Sequence, residues 1–410
     1  MLSETTDGYQ RTFEGTETRL MKNANHNTTL ETIKEMFLPS GYPTSVSPDY
    51  TQYQICDTLQ AFCSSITGLL ATRASFQQAG VGDIGATATA ATVTRAMQDV
   101  SGMVGRILFT YGFSTVLDTE IKTWRFMADI LNDTGLVIEM LSALAPRHIS
   151  WAVVCVSSLM RVLCGVAAGS TKAALSQHFA LKGNVGDLNA KDGSQETLVG
   201  LVGMLVGTLC VQMLHESSFA LVWLIFSFFT LMHLLFNYYG VRSIVMHNLN
   251  EQRVYILISE YLKTQSVLTP LQVSQRESVF WRRRIIPGAS LTELLTHQEC
   301  TKASLSYAAL QRLRIGSKPY LIRIFNPTIL IALHESIECD KTEQILEPCF
   351  YALCLDYFGS SSEALEFVSK HYKGFIAQLR DNQWNLDDGT CKLYMRQWRF
   401  EWNESHKKTK

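Results

Sequence analysis

Nine ionisable residues stand inside or beside stretches that are otherwise apolar: Asp99, Arg106, Asp129, Asp133, Glu139, Arg161, Lys172, Asp187 and Glu196. A charge placed in lipid costs several kcal/mol unless it is paired. Such groups have two uses. They clamp helix ends through salt bridges, or they line a polar path for a small solute or a proton. The residues alone leave both readings open.

Other chemistry is poorly supplied. Gly165-Val166-Ala167-Ala168-Gly169-Ser170-Thr171-Lys172 has the glycines of a phosphate loop, but a lysine should precede the Ser/Thr and a strand should precede the loop. Small residues at helical spacing point instead to close helix packing. His334-Glu335 lacks the second histidine of a zinc protease. The ten cysteines form no CxxC pair, and several lie in apolar runs where cysteine acts as a small hydrophobe. Neither nucleophilic nor metal catalysis is expected, and no cofactor or metal ligand set is identified. The chain is not expected to be an enzyme.

The elements that position the charges are long and apolar. Charged residues make up 18% and hydrophobic residues 47% of the 410 residues. The net charge of −1 carries no basic footprint for nucleic acid. Residues 198–214 and 219–236 contain no Asp, Glu, Lys or Arg. Each is near the lower limit for crossing a hydrocarbon core of about 30 Å. His215-Glu216-Ser217-Ser218 joins them as a polar turn, and Asn237-Tyr238-Tyr239 suits an aromatic belt at the interface. Residues 149–171 form a third span around Arg161. Weaker spans are expected at 57–77, at 84–99 with 102–117, and at 127–145.

The reading is an all-α polytopic membrane bundle of about six spans with a small soluble α+β C-terminal domain. Residues 1–36 are a polar disordered tail, 37–240 the membrane-embedded helical domain and 241–410 the soluble domain. In the last, 320–325 and 328–333 read as strands around Asn326-Pro327, and 250–263, 343–357 and 361–380 as helices. Trp281-Arg282-Arg283-Arg284 is a basic cluster.

Two patterns favour a carrier. Val81-Gly82-Asp83 recurs as Val185-Gly186-Asp187, each upstream of a glycine-rich helix, and internal duplication is common in transporters. Asp99-Val100-Ser101-Gly102-Met103-Val104-Gly105-Arg106 looks like the loop whose charges clamp helix ends in major facilitator transporters. Six spans would be half of such a unit, which would have to dimerise.

Four longer motifs carry a more specific resemblance: FLPSGYPTSVSPDYTQYQICDTLQAFCSSITGLLAT, VGDIGATATAATVTRAMQDVSGMVGRILF, LDTEIKTWRFMADILNDTGLVIEMLSALAP and HFALKGNVGDLNAKDGSQET. In this order they resemble the root UVB sensitive family. The resemblance is dense over residue 37 to about 240 and continues thinly through VLTPLQVSQRESVFW. It implies an integral membrane protein. In plants it implies early ultraviolet-B responses, vitamin B6 homeostasis and a link to auxin transport, with members acting in pairs. It implies no reaction. The first 36 residues contain six Asp or Glu, unlike a plastid transit peptide, which favours a non-plant member outside the plastid. The expected partners are the lipid bilayer, a second copy or a paralogue, and a small solute. The alternative to a carrier is a membrane scaffold that assembles through its C-terminal domain.

Overall fold

A computed structural model describes residues 2–6, 9–14, 17–22, 29–78, 88–214, 218–295, 310, 313–338, 340–393 and 398–401. The chain is mostly helical and divides into two compact units. One comprises residues 1–70 and 175–233, the other 71–174 and 234–410.

The first unit opens with an antiparallel meander, β1 (Leu2–Thr6), β2 (Tyr9–Glu14) and β3 (Glu17–Lys22). Helix α1 (Thr29–Phe37) follows. These elements fall in the stretch 1–36 that is expected above to be a polar tail. Thr5, Thr6, Tyr9, Thr12, Phe13 and Thr18 are β-branched or aromatic, which suits strands even in a polar sequence.

The proline-punctuated segment 38–49 then leads into α2 (Tyr50–Gln78). It is pinned across an isolated bridge between Val46 and Ala180, with Ser47 N donating to Phe179 O at 3.0 Å and Leu181 N to Ser45 O at 3.1 Å. Tyr50 is buried edge-on against Phe179, 5.5 Å between centroids. Helix α6 (Val185–Met213) crosses α2 at two glycines. A Cβ on Gly203 would lie 2.6 Å from Ser65 Cβ, and one on Gly207 2.7 Å from Leu69 Cδ1. Small residues at these two positions let the backbones approach closely. At Gly165 and Gly169, the glycines of the loop-like run, a Cβ would meet nothing within 4 Å.

The second unit contains α3 (Ala88–Leu117), α4 (Ile121–Ser142) and most of α5 (Arg147–Phe179). Helix α3 is continuous. The expected break between 99 and 102 is absent, so Asp99 and Arg106 stand mid-helix rather than on a loop. The first copy of the Val-Gly-Asp repeat, at 81–83, lies outside the described residues. Helix α7 (Phe219–Ser243) begins in the first unit and ends in the second.

Among the described residues, helices α2 to α7 cover the runs read as spans, but six spans are not borne out. Among the described residues three are long and apolar enough to cross a membrane, by length and composition: Ile149–Phe179, Val185–Met213 and Phe219–Ser243. Only 11% of the most apolar window of each of the last two is buried. Leu205, Leu209, Leu224 and Phe228 are all exposed by more than half.

After α7 come α8 (Glu251–Thr264), α9 (Pro270–Arg276), β4 (Ile285–Pro287), α10 (Leu291–Leu295), the hairpin β5 (Tyr320–Phe325) and β6 (Thr328–His334), helices α11 (Thr342–Phe358) and α12 (Ser361–Asp381), and β7 (Arg399–Phe400). Helix α8 is capped by the Asn250 side chain, which accepts from Arg253 N, and α9 by a Thr269–Gln272 capping box with Pro270 in its first turn. Strand β6 is central, antiparallel to β5 and parallel to β4 and β7. The core joins Leu257, Ile258 and Tyr261 of α8 to Ile331, Phe350, Tyr351 and Phe375.

Candidate functional site

Helix α4 reads IKTWRFMADILNDTGLVIEMLS, and its buried positions include Phe126, Asp129, Asp133, Leu136 and Met140. These recur at three- and four-residue spacing, so they form one stripe. Two carboxylates therefore occupy core positions of a helix that is otherwise apolar on that face. Glu139, also buried, is the third.

Each carboxylate has partners. Asp129 pairs with Arg125 one turn earlier at 3.1 Å, and both side chains are nearly covered. It also accepts from the Asn237 amide of α7. Asp133 accepts from Asn132 Nδ2 at 3.3 Å. Glu139 meets Arg161 of α5 at 3.2 Å, with the glutamate side chain 10% and the arginine 50% exposed. Helices α4 and α5 touch at Gly135, where a Cβ would lie 2.9 Å from Arg161 Cγ. Ser157 Oγ donates to Gly135 O at 2.9 Å.

The other expected residues lie apart from this column. Asp99 pairs with Arg95 on its own helix at 3.4 Å, both exposed. Arg106 is exposed and has no ion pair among the described residues. The expected Asp99–Arg106 clamp is therefore absent, because seven residues on a continuous helix hold the two about 10 Å apart along its axis. Lys172 is half-buried on α5. Asp187 and Glu196 belong to the first unit. There Asp187 accepts from Ser40 N at 2.7 Å, and Glu196 is exposed. Gln54 and Asp192 (2.7 Å), and His178 and Asp49 (2.9 Å), hold the proline segment in that unit. A cleft of about 560 Å³ lies in the C-terminal part, lined by Lys318, Glu347, Tyr372, Lys373 and Arg380, rather than beside α4.

Sequence reasoning missed a second cluster at the head of α4. Lys122 and Arg253 grip the two oxygens of Glu277, at 2.5 and 2.6 Å, with all three side chains under 10% exposed. Asn250 donates to Glu120 Oε2 at 3.1 Å. Glu251 accepts from the backbone N–H groups of Arg284 (3.0 Å) and Ile285 (3.3 Å) and lies 3.6 Å from Arg283 Nε. Burial pushes Glu251 up to about 8, reinforced by Glu120 and opposed by Arg283. Burial likewise pushes Glu120 up to about 7, against Arg253 and Arg283. Burial works on Glu277 in the same direction, but Arg253 and Lys122 together hold it below the ordinary range. Lys122 lies in a quoted motif, yet nothing in sequence spacing links it to Glu277, 155 residues on.

Residues 23–265 match the family described as "Vitamin B6 photo-protection and homoeostasis domain". The chain is 43% identical over 270 residues to RUS family member 1 of Dictyostelium discoideum, covering 65% of this chain and 51% of that protein. It is 34% identical over 376 residues to Protein root UVB sensitive 3 of Arabidopsis thaliana, covering 87% and 83%. Protein root UVB sensitive 2, chloroplastic, of the same plant is 29% identical over 265 residues, covering 63% and 59%. The chain thus spans about half the length of the Dictyostelium relative. No solved structure matches.

Proposed function

The chain belongs to the root UVB sensitive family, and from that premise we propose that it is a multi-pass integral membrane protein that carries a small solute in vitamin B6 balance. The membrane part of this reading is supported by α5, α6 and α7, whose apolar surfaces are mostly uncovered. In water such area would drive association or aggregation, whereas in a bilayer it is matched by its solvent.

The carrier part rests on one observation: three buried carboxylates, Asp129, Asp133 and Glu139, on a single helix against α5 and α7. Ionisable groups in such places are costly and tend to mark solute or proton paths. Arg161 is the exchangeable member. Its guanidinium is half exposed while Glu139 is buried, so a solute anion can compete with Glu139 for it.

The test is metabolite profiling of cells with and without the protein, followed by uptake of the altered metabolites and of B6 vitamers into vesicles holding the purified chain. Uptake lost in Glu139→Gln with the fold intact supports the reading. Vesicles that take up none of these solutes overturn it.

A second reading is a membrane scaffold. The Arg125–Asp129–Asn237 contact favours it, because charge-assisted hydrogen bonds between helices hold a bundle in one arrangement. On that reading Glu139 and Arg161 variants change stability alone.

A further inference from the structure

The segment from Ser278 to Arg284, between α9 and β4, combines aromatic and arginine side chains at the surface. It is fixed in place from below: Val279 is buried, and its carbonyl accepts from Thr123 Oγ1 of α4 at 2.8 Å. The Phe280 ring packs edge-on against Phe126, 5.5 Å away, yet is 56% exposed. Trp281 packs on Tyr255 at 5.2 Å. Phe126 in turn meets Tyr238 at 6.0 Å, which brings the end of α7 to the same surface. Tyr239 there is 59% exposed.

The charges on this surface are unbalanced. Of the nearby carboxylates, Glu277 is buried and taken by Lys122 and Arg253, Glu251 is buried beside Arg283, and Glu120 accepts from Asn250. Arg276 is paired with Glu260. Arg242 lies over the Tyr238 ring and donates to Tyr238 Oη and Gln275 O, both at 3.4 Å. Arg284 lies over the Tyr255 ring and donates to its hydroxyl. Arg282 is exposed. Arg242, Arg282 and Arg284 have no carboxylate partner among the described residues.

We propose that this surface binds the phosphate headgroups of anionic lipids. The inference rests on the membrane reading above. If α7 crosses the bilayer, its uncharged run ends at Phe236, so Tyr238, Tyr239 and Arg242 fall at headgroup level. The 278–284 segment is held against that end. Guanidinium groups pair with phosphate through two parallel hydrogen bonds, and exposed aromatics settle among headgroups. A free phosphate or nucleic acid would leave Phe280 and Tyr239 without a role, and the chain's net charge of −1 offers no wider basic stripe. Arginine at this level also orients a span, placing this end of α7 and the C-terminal residues on the cytoplasmic side.

The experiment titrates the full chain, purified in mild detergent, with phosphatidylglycerol, phosphatidylcholine or inorganic phosphate, and reads retained lipid by native mass spectrometry. Preference for phosphatidylglycerol over phosphatidylcholine is expected. It should fall about fivefold in Arg282→Gln, whose unfolding temperature without lipid stays unchanged, and vanish in the Arg242→Gln, Arg282→Gln, Arg284→Gln triple variant. Phe280→Ala should weaken both lipids alike. No preference in the wild type, a preference intact in the triple variant, or equal binding of inorganic phosphate overturns the proposal. Carbonate washing separates the two readings. A chain released from membranes sinks both, while a chain retained in membranes without headgroup preference sinks this one alone.

Discussion

Lys122, in the first turn of α4, lies 2.5 Å from Glu277, which follows α9. The contact ties the helix that carries the buried carboxylates to the C-terminal half of its own unit. Arg253 completes it from α8.

Glu277→Gln leaves two buried cations without their counter-charge. Breaking a buried pair by removing one partner costs about 3–5 kcal/mol. Thermal unfolding in detergent should therefore show a large loss for Glu277→Gln. Lys122→Met, which leaves Glu277 paired with Arg253, should lose clearly less. Equal, small losses would mean that the contact is a wet surface pair.

The same junction sets a pH dependence. Glu120 and Glu251 bind protons more tightly in the folded chain than their ordinary value of 4.5, at about 7 and about 8. The folded state then holds more protons than the unfolded one, so stability falls as pH rises. Their contribution is complete below about pH 4.5 and is lost through about pH 7 for Glu120 and about pH 8 for Glu251. Glu277 works in the opposite sense: held low, it loses its contribution only in acid. Unfolding scans from about pH 5 to 9 should show falling stability, by at most about 1.4 kcal/mol per pH unit for each group. A Glu120→Gln, Glu251→Gln double variant should be nearly flat over that range. A wild type equally stable at both ends would refute the shifts.

These partners show what hydropathy reads and what it does not. The uncharged run 198–214 marked the apolar half of α6, but the helix starts at Val185. Its polar half is held by contacts that have no sequence signature: Asp187 with Ser40, Asp192 with Gln54, and Gln195 with the carbonyl of Phe37. The C-terminal hairpin was legible because alternating β-branched residues flank Asn326-Pro327, and β5 and β6 pair there as expected. On α4 the acidic residues stood out because few tolerable reasons exist for them in an apolar helix. Their partners Asn237 and Arg161 come from other helices, and only the fold selects them. Asp99 and Arg106 misled for the opposite reason. A short motif suggested a loop, while α3 runs unbroken through it and its Gly102 and Gly105 lie close against Val162 and Leu159 of α5.

The helix crossing of α2 and α6 gives a prediction of opposite signs at two glycines. At Gly203 an added Cβ would sit 2.6 Å from Ser65 Cβ, an atom that cannot move without its backbone. Gly203→Ala should cost about 1–3 kcal/mol through overpacking. At Gly200 nothing lies within 4 Å, so Gly200→Ala should gain up to about 1 kcal/mol from helix propensity alone. Detergent unfolding of the two variants side by side decides it, and a Gly203→Ala as stable as Gly200→Ala would mean that α2 and α6 do not cross there.

The Glu139–Arg161 pair is lopsided, and the lopsidedness is measurable. Glu139 is 10% exposed and Arg161 is 50% exposed. Removing the arginine strands a buried carboxylate without its counter-charge. Removing the glutamate charge leaves a guanidinium that already reaches the surface. Arg161→Met should thus destabilise by about 2–4 kcal/mol, and Glu139→Gln by about 1 kcal/mol or less. The double variant should fall near Glu139→Gln rather than at the sum, because the stranded charge is gone. If both single variants lose the same stability and add in the double variant, the two side chains act independently, and Arg161 holds no exchangeable place beside α4.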